Sequence, residues 1–132
     1  MMKKILFVAL LGALCVGCSK NSPQYISEDY IKALEESDFR RAKSYIYVPS
    51  SAQNYLSARD IDAKVQQDFD ELKKELANIG GVDDFEIVKN TELSETLREL
   101  QVACKGKNGR FVDKTFYAIS IDGKWKLIQA VK

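Results

Sequence analysis

The 132-residue sequence contains no histidine, and this absence excludes several classes of chemistry. Without an imidazole, the chain cannot supply a His general acid or base, a Ser-His or Cys-His nucleophile pair, or the usual zinc site. Neither sign of charge is in large excess, because 20 Lys and Arg stand against 19 Asp and Glu. Such a chain has no overall field that would gather nucleic acid. We therefore expect no cofactor, no metal and no nucleic-acid partner.

The sequence also lacks an apolar run that could span a membrane. As a helix, the run from Ile5 to Val16 would reach roughly 18 Å, whereas the hydrocarbon core of a bilayer is about 30 Å thick. Lys3 and Lys4 precede this run and Gly17 follows it. A basic start, a short apolar run and a small residue are typical of a secretory signal.

A cysteine stands directly after the expected cleavage site, so the segment resembles a bacterial lipoprotein signal. The resemblance implies cleavage between Gly17 and Cys18, diacylation of Cys18, and anchoring to a membrane without spanning it. Ser19 after the cysteine implies transfer to the outer membrane, facing the periplasm. An ordinary secretory signal cut nearby is the alternative. The predicted organisation is a signal peptide over residues 1–17, a lipidated tether over 18–24 and one folded domain over 25–132.

Cysteine is scarce in the predicted mature chain. Cys18 would carry lipid, so Cys104 has no partner for an intramolecular disulfide. Cys104 alternates with Leu100 and Val102, as on the buried face of a strand. We interpret it as a small core residue rather than a reactive thiol, because no His is present to activate it.

Helical patterns fill the first part of the domain. Ser22-Pro23 predicts an N-cap and first position for a helix that runs to about Ser37, and Asp38 caps a second, shorter helix that ends before Pro49. A long amphipathic helix is predicted from Asp60 to the glycines at 80 and 81. Its apolar stripe consists of Ile61, Val65, Phe69, Leu72, Leu76 and Ile79.

The pattern then changes to the alternation of β-strands, predicted over residues 84–89, 98–105, 111–121 and 124–131. Residues 107–109 and Asp122-Gly123 supply two hairpin turns. Residues 90–96 are open to three interpretations: a turn, a bulge or a strand. The predicted fold class is α+β, with N-terminal helices packed on a curved antiparallel sheet of four strands.

Two segments resemble the nuclear-transport-factor-two-like, or cystatin-like cone, domains. They are the helical corner over residues 33–43 (ALEESDFRRAK) and the closing hairpin over residues 122–127 (DGKWKL). They are similar in particular to small bacterial lipoproteins of uncharacterised function. The resemblance implies a curved sheet wrapped around helices, with a pocket at the open end. That fold hosts isomerases, dehydratases and plain binding modules, so it does not select a function.

Aromatic residues are the main candidates for lining such a pocket, namely Tyr30, Tyr117 and Trp125, together with Asp113. Asp113 and Tyr117 have the same parity on one predicted strand and would form an Asp/Tyr acid-base pair if that face points inward. The competing interpretation is that Asp113 is solvated and that Tyr30 and Trp125 join helices to the sheet.

These observations lead to a lipid-anchored, noncatalytic envelope domain as the favoured function. It would bind a small ligand or an envelope protein through its pocket or its sheet face. The alternative is a small pocket enzyme with an Asp/Tyr centre, and a weaker third hypothesis is a spacer that forms a homodimer. A basic cluster at one hairpin turn, Lys105, Lys107 and Arg110, would either contact anionic head groups or simply protect the turn.

Overall fold

The computed structural model describes residues 20–49 and 57–128. These residues form three helices and five strands, in an α+β arrangement as predicted. The predicted signal peptide, its cleavage site at Gly17 and the lipidation site at Cys18 lie outside the described residues. Among the described helices, none has the length and apolarity that crossing a bilayer would require.

Two short helices form a corner at the start of the domain. Helix α1 spans Pro23–Glu35, and its N-cap Ser22 accepts a hydrogen bond from the Tyr25 amide. Helix α2 spans Phe39–Ser44 and is capped by Asp38. Both caps were predicted. The first helix ends slightly earlier than expected, because Ser37 turns the chain with a φ of 58°.

The long helix α3 spans Ala58–Asn78. Ser57 caps it by accepting a hydrogen bond from the Asp60 amide. The predicted stripe is confirmed, since Val65, Phe69, Leu72 and Leu76 are buried. Gly80 and Gly81 then leave the helix with φ values of 80° and 85°, which glycine adopts without a steric penalty.

The sheet has five strands and is mixed, which corrects the predicted four-stranded antiparallel sheet. The strands are β1 (Ile46–Tyr47), β2 (Val82–Ser94), β3 (Leu97–Gly106), β4 (Phe111–Ile121) and β5 (Lys124–Ile128). Their order is β1-β5-β4-β3-β2, and the added strand β1 pairs with β5 in parallel. Sequence alternation cannot show a strand of two residues, so this strand was missed.

The undecided segment 90–96 is mostly strand. Strand β2 continues through it to Ser94, with register shifts between Val82 and Asp84, between Ile87 and Lys89, and near its end. These irregularities interrupt the alternation of side chains, which explains why the sequence pattern was ambiguous there. The predicted turns at 107–109 and at Asp122-Gly123 are confirmed, and the predicted strand residues 129–131 lie outside the described part.

Aromatic contacts join the layers of the core. The Phe69 ring on α3 stacks on Phe39 of α2, with ring centroids 5.9 Å apart. Tyr30 of α1 meets Phe69 edge-on and also meets Phe116 of β4 edge-on, at 5.9 and 5.7 Å. One chain of rings therefore connects all three helices to the centre of the sheet.

Candidate functional site

A cavity of about 240 Å³ lies between α3 and the sheet. Its lining combines apolar and ionisable side chains: Tyr30, Ile46, Leu72, Phe116, Leu127 and Ile128 with Asp68, Glu71, Glu75, Lys114 and Thr115. Helix α3 contributes the acidic groups along one wall. The short strand β1, which the sequence did not reveal, contributes Ile46. We call this space the α3 cavity.

Tyr30 and Asp68 are neighbours in the α3 cavity. Tyr30 is only 5% exposed, and burial, followed by the charge of Asp68, raises the pKa of its phenol well above the usual range. Asp68 is half-buried on α3. The Tyr30 hydroxyl therefore stays protonated at neutral pH and is a poor general base there.

Lys114 and Glu75 form an ion pair at the wall of the same cavity. The Lys114 Nζ lies 3.0 Å from one carboxylate oxygen of Glu75 and 3.1 Å from the other. This pair joins β4 to α3 and neutralises one of the three carboxylates that line the space. The lining as a whole carries three carboxylates and one ammonium group.

The four residues predicted to line a pocket lie in different places. Tyr30 lines the α3 cavity. Asp113 and Tyr117 share a face of β4, as their parity predicted, but it is the face opposite Val112 and Phe116, which pack against the core. Tyr117 is 42% exposed, and its hydroxyl donates a hydrogen bond to Glu99 at 2.9 Å. The pair therefore lies on the outer sheet surface.

Trp125 is half-buried and packs against the core from β5. Its backbone N–H donates a hydrogen bond to the Asn21 side chain at 3.0 Å. Trp125 does not belong to the lining of the α3 cavity. The backbone of Trp125 therefore joins the N-terminal segment to β5.

The carboxylates of the cavity were not singled out from the sequence, although a signal was present. Asp68 and Glu75 recur with Val65, Leu72 and Ile79 at steps of three and four along α3. Two acidic residues therefore border the apolar stripe on the side that meets the sheet.

Two further ionisable groups lie outside the cavity. Cys104 is fully buried and has no disulfide, and burial raises the pKa of its thiol to about 11. This agrees with its predicted role as a core residue. Within residues 20–49 and 57–128, no three side chains of His, Cys, Asp or Glu are arranged to hold a metal ion.

Comparison with known proteins supports the architecture. The family description "Domain of unknown function (DUF4878)" matches residues 16–128. Among solved structures, the chain is similar to a protein from Campylobacter jejuni that bears the name NTF2-like transpeptidase, with a TM-score of 0.68 and 20% sequence identity. The alignment covers 83% of this chain and 99% of that one. No curated protein matches the chain. At this identity the structural likeness establishes the cone fold alone and no activity.

Proposed function

The chain belongs to DUF4878, a family of domains of unknown function, and has an NTF2-like fold; on this premise we propose that it is a noncatalytic, lipid-anchored domain of the bacterial cell envelope. It binds a small ligand or an envelope protein through the α3 cavity or the sheet face. Cys18 carries the lipid and holds the domain at the outer membrane, facing the periplasm.

The α3 cavity is the observation that carries the binding role. A bound ligand would remove its apolar side chains from water, and its acidic wall can orient that ligand through hydrogen bonds or charge. The Lys114–Glu75 pair already satisfies two of the charged groups. A preformed cavity of this kind favours binding without further rearrangement.

The neighbouring Asp68 and Tyr30 favour a pocket enzyme as the second candidate. An Asp/Tyr centre was predicted with Asp113 and Tyr117, but these lie on the outer surface. Inside the cavity the matching residue types are Asp68 and Tyr30. Since the raised pKa of Tyr30 keeps its phenol neutral, Asp68 would be the base and Tyr30 a hydrogen-bond donor.

The anchor is tested by replacing Cys18 with Ser in the native host. We expect the Cys18→Ser protein to lose its acyl groups and to leave the membrane fraction, while Cys104→Ser remains there. Fractionation and mass spectrometry of the amino end provide the measurement. If Cys18→Ser stays with the membrane, the anchor assignment is wrong.

The binding role is tested by native mass spectrometry of protein purified from its host. We expect a bound small molecule, lost in Ile46→Trp because the larger side chain fills the cavity. Ala77→Trp is the control, since Ala77 is exposed on the same domain. A bound mass that survives Ile46→Trp unchanged would contradict binding in this cavity.

Asp68→Asn separates binding from catalysis in the same experiment. A binding protein should retain a molecule of the same mass, with altered affinity at most. An enzyme that uses Asp68 as its base should instead accumulate unconverted substrate, so the bound mass would differ from that in the unmodified protein.

A further inference from the structure

The start of the described chain is fixed to one end of the sheet by a single side chain. The Asn21 side chain donates from Nδ2 to the Gly123 carbonyl at 2.8 Å and accepts at Oδ1 from the Trp125 amide at 3.0 Å. Both partners belong to the β4–β5 hairpin, more than 100 positions away in sequence. We call this pair of hydrogen bonds the Asn21 clamp.

The clamp lies at one defined end of the sheet. Strands β3 and β4 are antiparallel with Leu97 opposite Ile119, so the β2–β3 turn and the β4–β5 turn lie at the same end. The Ser120 amide donates to the Thr96 carbonyl at 2.8 Å, which joins the two turns. We call this end the clamp end.

The opposite end carries the β3–β4 turn at residues 107–110. There the Asn108 side chain donates to the Asn78 carbonyl at the close of α3, at 3.1 Å. Glu35 at the close of α1 accepts a hydrogen bond from the Val82 amide at 2.7 Å. We call this the distal end, and strand β4, with 11 residues, separates the two ends by roughly 30 Å.

We propose that the Asn21 clamp sets the orientation of the anchored domain, so that the clamp end faces the lipid surface and the distal end points away from it. This inference depends on the proposed lipid anchor at Cys18. Asn21 is three positions after Cys18 in the sequence, and three residue steps reach at most about 11 Å when fully extended. The tether is therefore shorter than the domain, and the clamp fixes its far end to the β4–β5 hairpin, which limits how far the domain can tilt.

The orientation also decides between the two interpretations of the basic cluster. Lys107 and Arg110 are exposed at the distal end, and Lys105 lies next to them at the end of β3. At roughly 30 Å from the clamp end, they are separated from the head groups by several Debye lengths at physiological salt. The cluster therefore does not contact the membrane that holds the anchor.

The experiment uses lipidated protein reconstituted into vesicles that carry a nitroxide on the lipid head group. A fluorophore is attached at Glu95→Cys, in the β2–β3 turn, or at Lys107→Cys, in the β3–β4 turn. Both native residues are exposed. Cys104 is buried and its thiol pKa is about 11, so protein without an added cysteine gives the labelling background.

We expect at least threefold more quenching at position 95 than at 107, both in neutral vesicles and in vesicles with about a third anionic lipid. In Asn21→Ala this ratio should fall but stay above one, because α1 still begins at Pro23 at the clamp end, while Lys20→Ala keeps it. Equal quenching at the two positions in unmodified protein, stronger quenching at 107 on anionic vesicles, or an unchanged ratio in Asn21→Ala would each overturn the proposal.

Two controls keep the anchor and the orientation apart. Circular dichroism should show that Asn21→Ala is folded, so that a changed ratio reports the clamp and not unfolding. Cys18→Ser protein should show no quenching at either position. If Cys18→Ser protein still binds the vesicles, the proposed anchor fails; if it is released and the ratio test fails, the orientation alone is wrong.

Discussion

At the scale of single residues, hydrogen bonds from two side chains stabilise the carboxylate of Asp29. It accepts hydrogen bonds from Arg41 at 3.0 and 3.1 Å and a further one from the Tyr45 hydroxyl. Burial raises the pKa of Asp29, but the hydrogen bonds from Arg41 and Tyr45 outweigh it, and the net pKa is lowered. The side chain is 17% exposed, so solvent screens these contacts only in part.

Asp29→Asn should therefore lower the free energy of unfolding by about 1–2 kcal/mol at pH 7. Because the pKa of Asp29 is lower in the folded state, its carboxylate stabilises the fold at pH values above the pKa of about 4 in the unfolded chain. This stabilisation is lost as the pH falls through the pKa of the folded state. The difference between variant and parent should consequently shrink from pH 5 to pH 2. Urea unfolding at several pH values measures it.

Glu36→Gln is the matched control, because Glu36 contacts the same Arg41 but is 61% exposed. Its effect should stay within about 0.5 kcal/mol. An Asp29→Asn difference that is equally small, or that grows as the solution becomes more acidic, would contradict the assignment.

Single residues were predictable from sequence where the cause is local. The caps Ser22 and Asp38 each bond to a backbone amide three residues ahead, so spacing alone identified them. The inward face of β4 was harder to identify, because both faces of this strand carry aromatic residues, Phe116 on one and Tyr117 on the other. Only the packing of Phe116 on Tyr30 shows which face is buried.

At the scale of elements, the junction between α3 and the sheet depends on Gly106. A Cβ at this position would lie 2.0 Å from the Ile79 carbonyl oxygen and 2.4 Å from the Ile79 Cβ. The end of α3 therefore packs directly on the backbone of β3. The Lys107 amide, which donates to the Gly81 carbonyl at 3.1 Å, extends the same junction.

Gly106→Ala should destabilise the domain by about 2–4 kcal/mol, because backbone atoms of α3 must shift to admit the methyl group. Thermal unfolding followed by circular dichroism measures the loss.

Gly109→Ala serves as the control. Gly109 has a φ of 87° but no atom within 4 Å of the added Cβ, so its cost of about 1–2 kcal/mol is backbone strain alone. If Gly106→Ala costs no more than Gly109→Ala, the close approach of helix and strand is not as tight as described.

Elements were predictable from sequence where their period continues without interruption over several residues. The 21 residues of α3 give six turns of consistent periodicity, and the 11 residues of β4 were bounded correctly. The two residues of β1 give no period at all, and their pairing with β5 depends on a contact made more than 80 positions later. Sequence patterns therefore could not place Ile46 in the wall of the α3 cavity.

At the scale of the whole molecule, the fold class followed from the change of period, from 3.6 in the first half to 2 in the second. The cavity did not follow, because it forms only where α1, α3, β1, β4 and β5 meet. Each wall has an ordinary local pattern. Sequence reasoning can therefore name the layers of this protein, whereas the placement of Asp68 beside Tyr30 requires their assembly.

One buried side chain contacts rings from two other helices in the described core. Phe69 is 1% exposed and its ring contacts both Phe39 and Tyr30, which in turn meets the sheet at Phe116. Replacing a buried Phe by a small residue costs about 3–5 kcal/mol, and burying an unpaired carboxylate costs several more. Together these penalties match the whole stability of a typical domain, about 5–15 kcal/mol.

Phe69→Asp should consequently unfold the entire domain, with loss of helical circular dichroism at 25 °C and rapid proteolysis of helices and sheet together. Ala63→Asp introduces the same carboxylate at an exposed position of α3 and should shift the melting temperature by only a few degrees. Cooperative melting of Phe69→Asp close to the parent temperature would show that the ring chain does not hold the layers together. Loss of α3 alone, with a protected sheet, would show that helices and sheet are separate cooperative units.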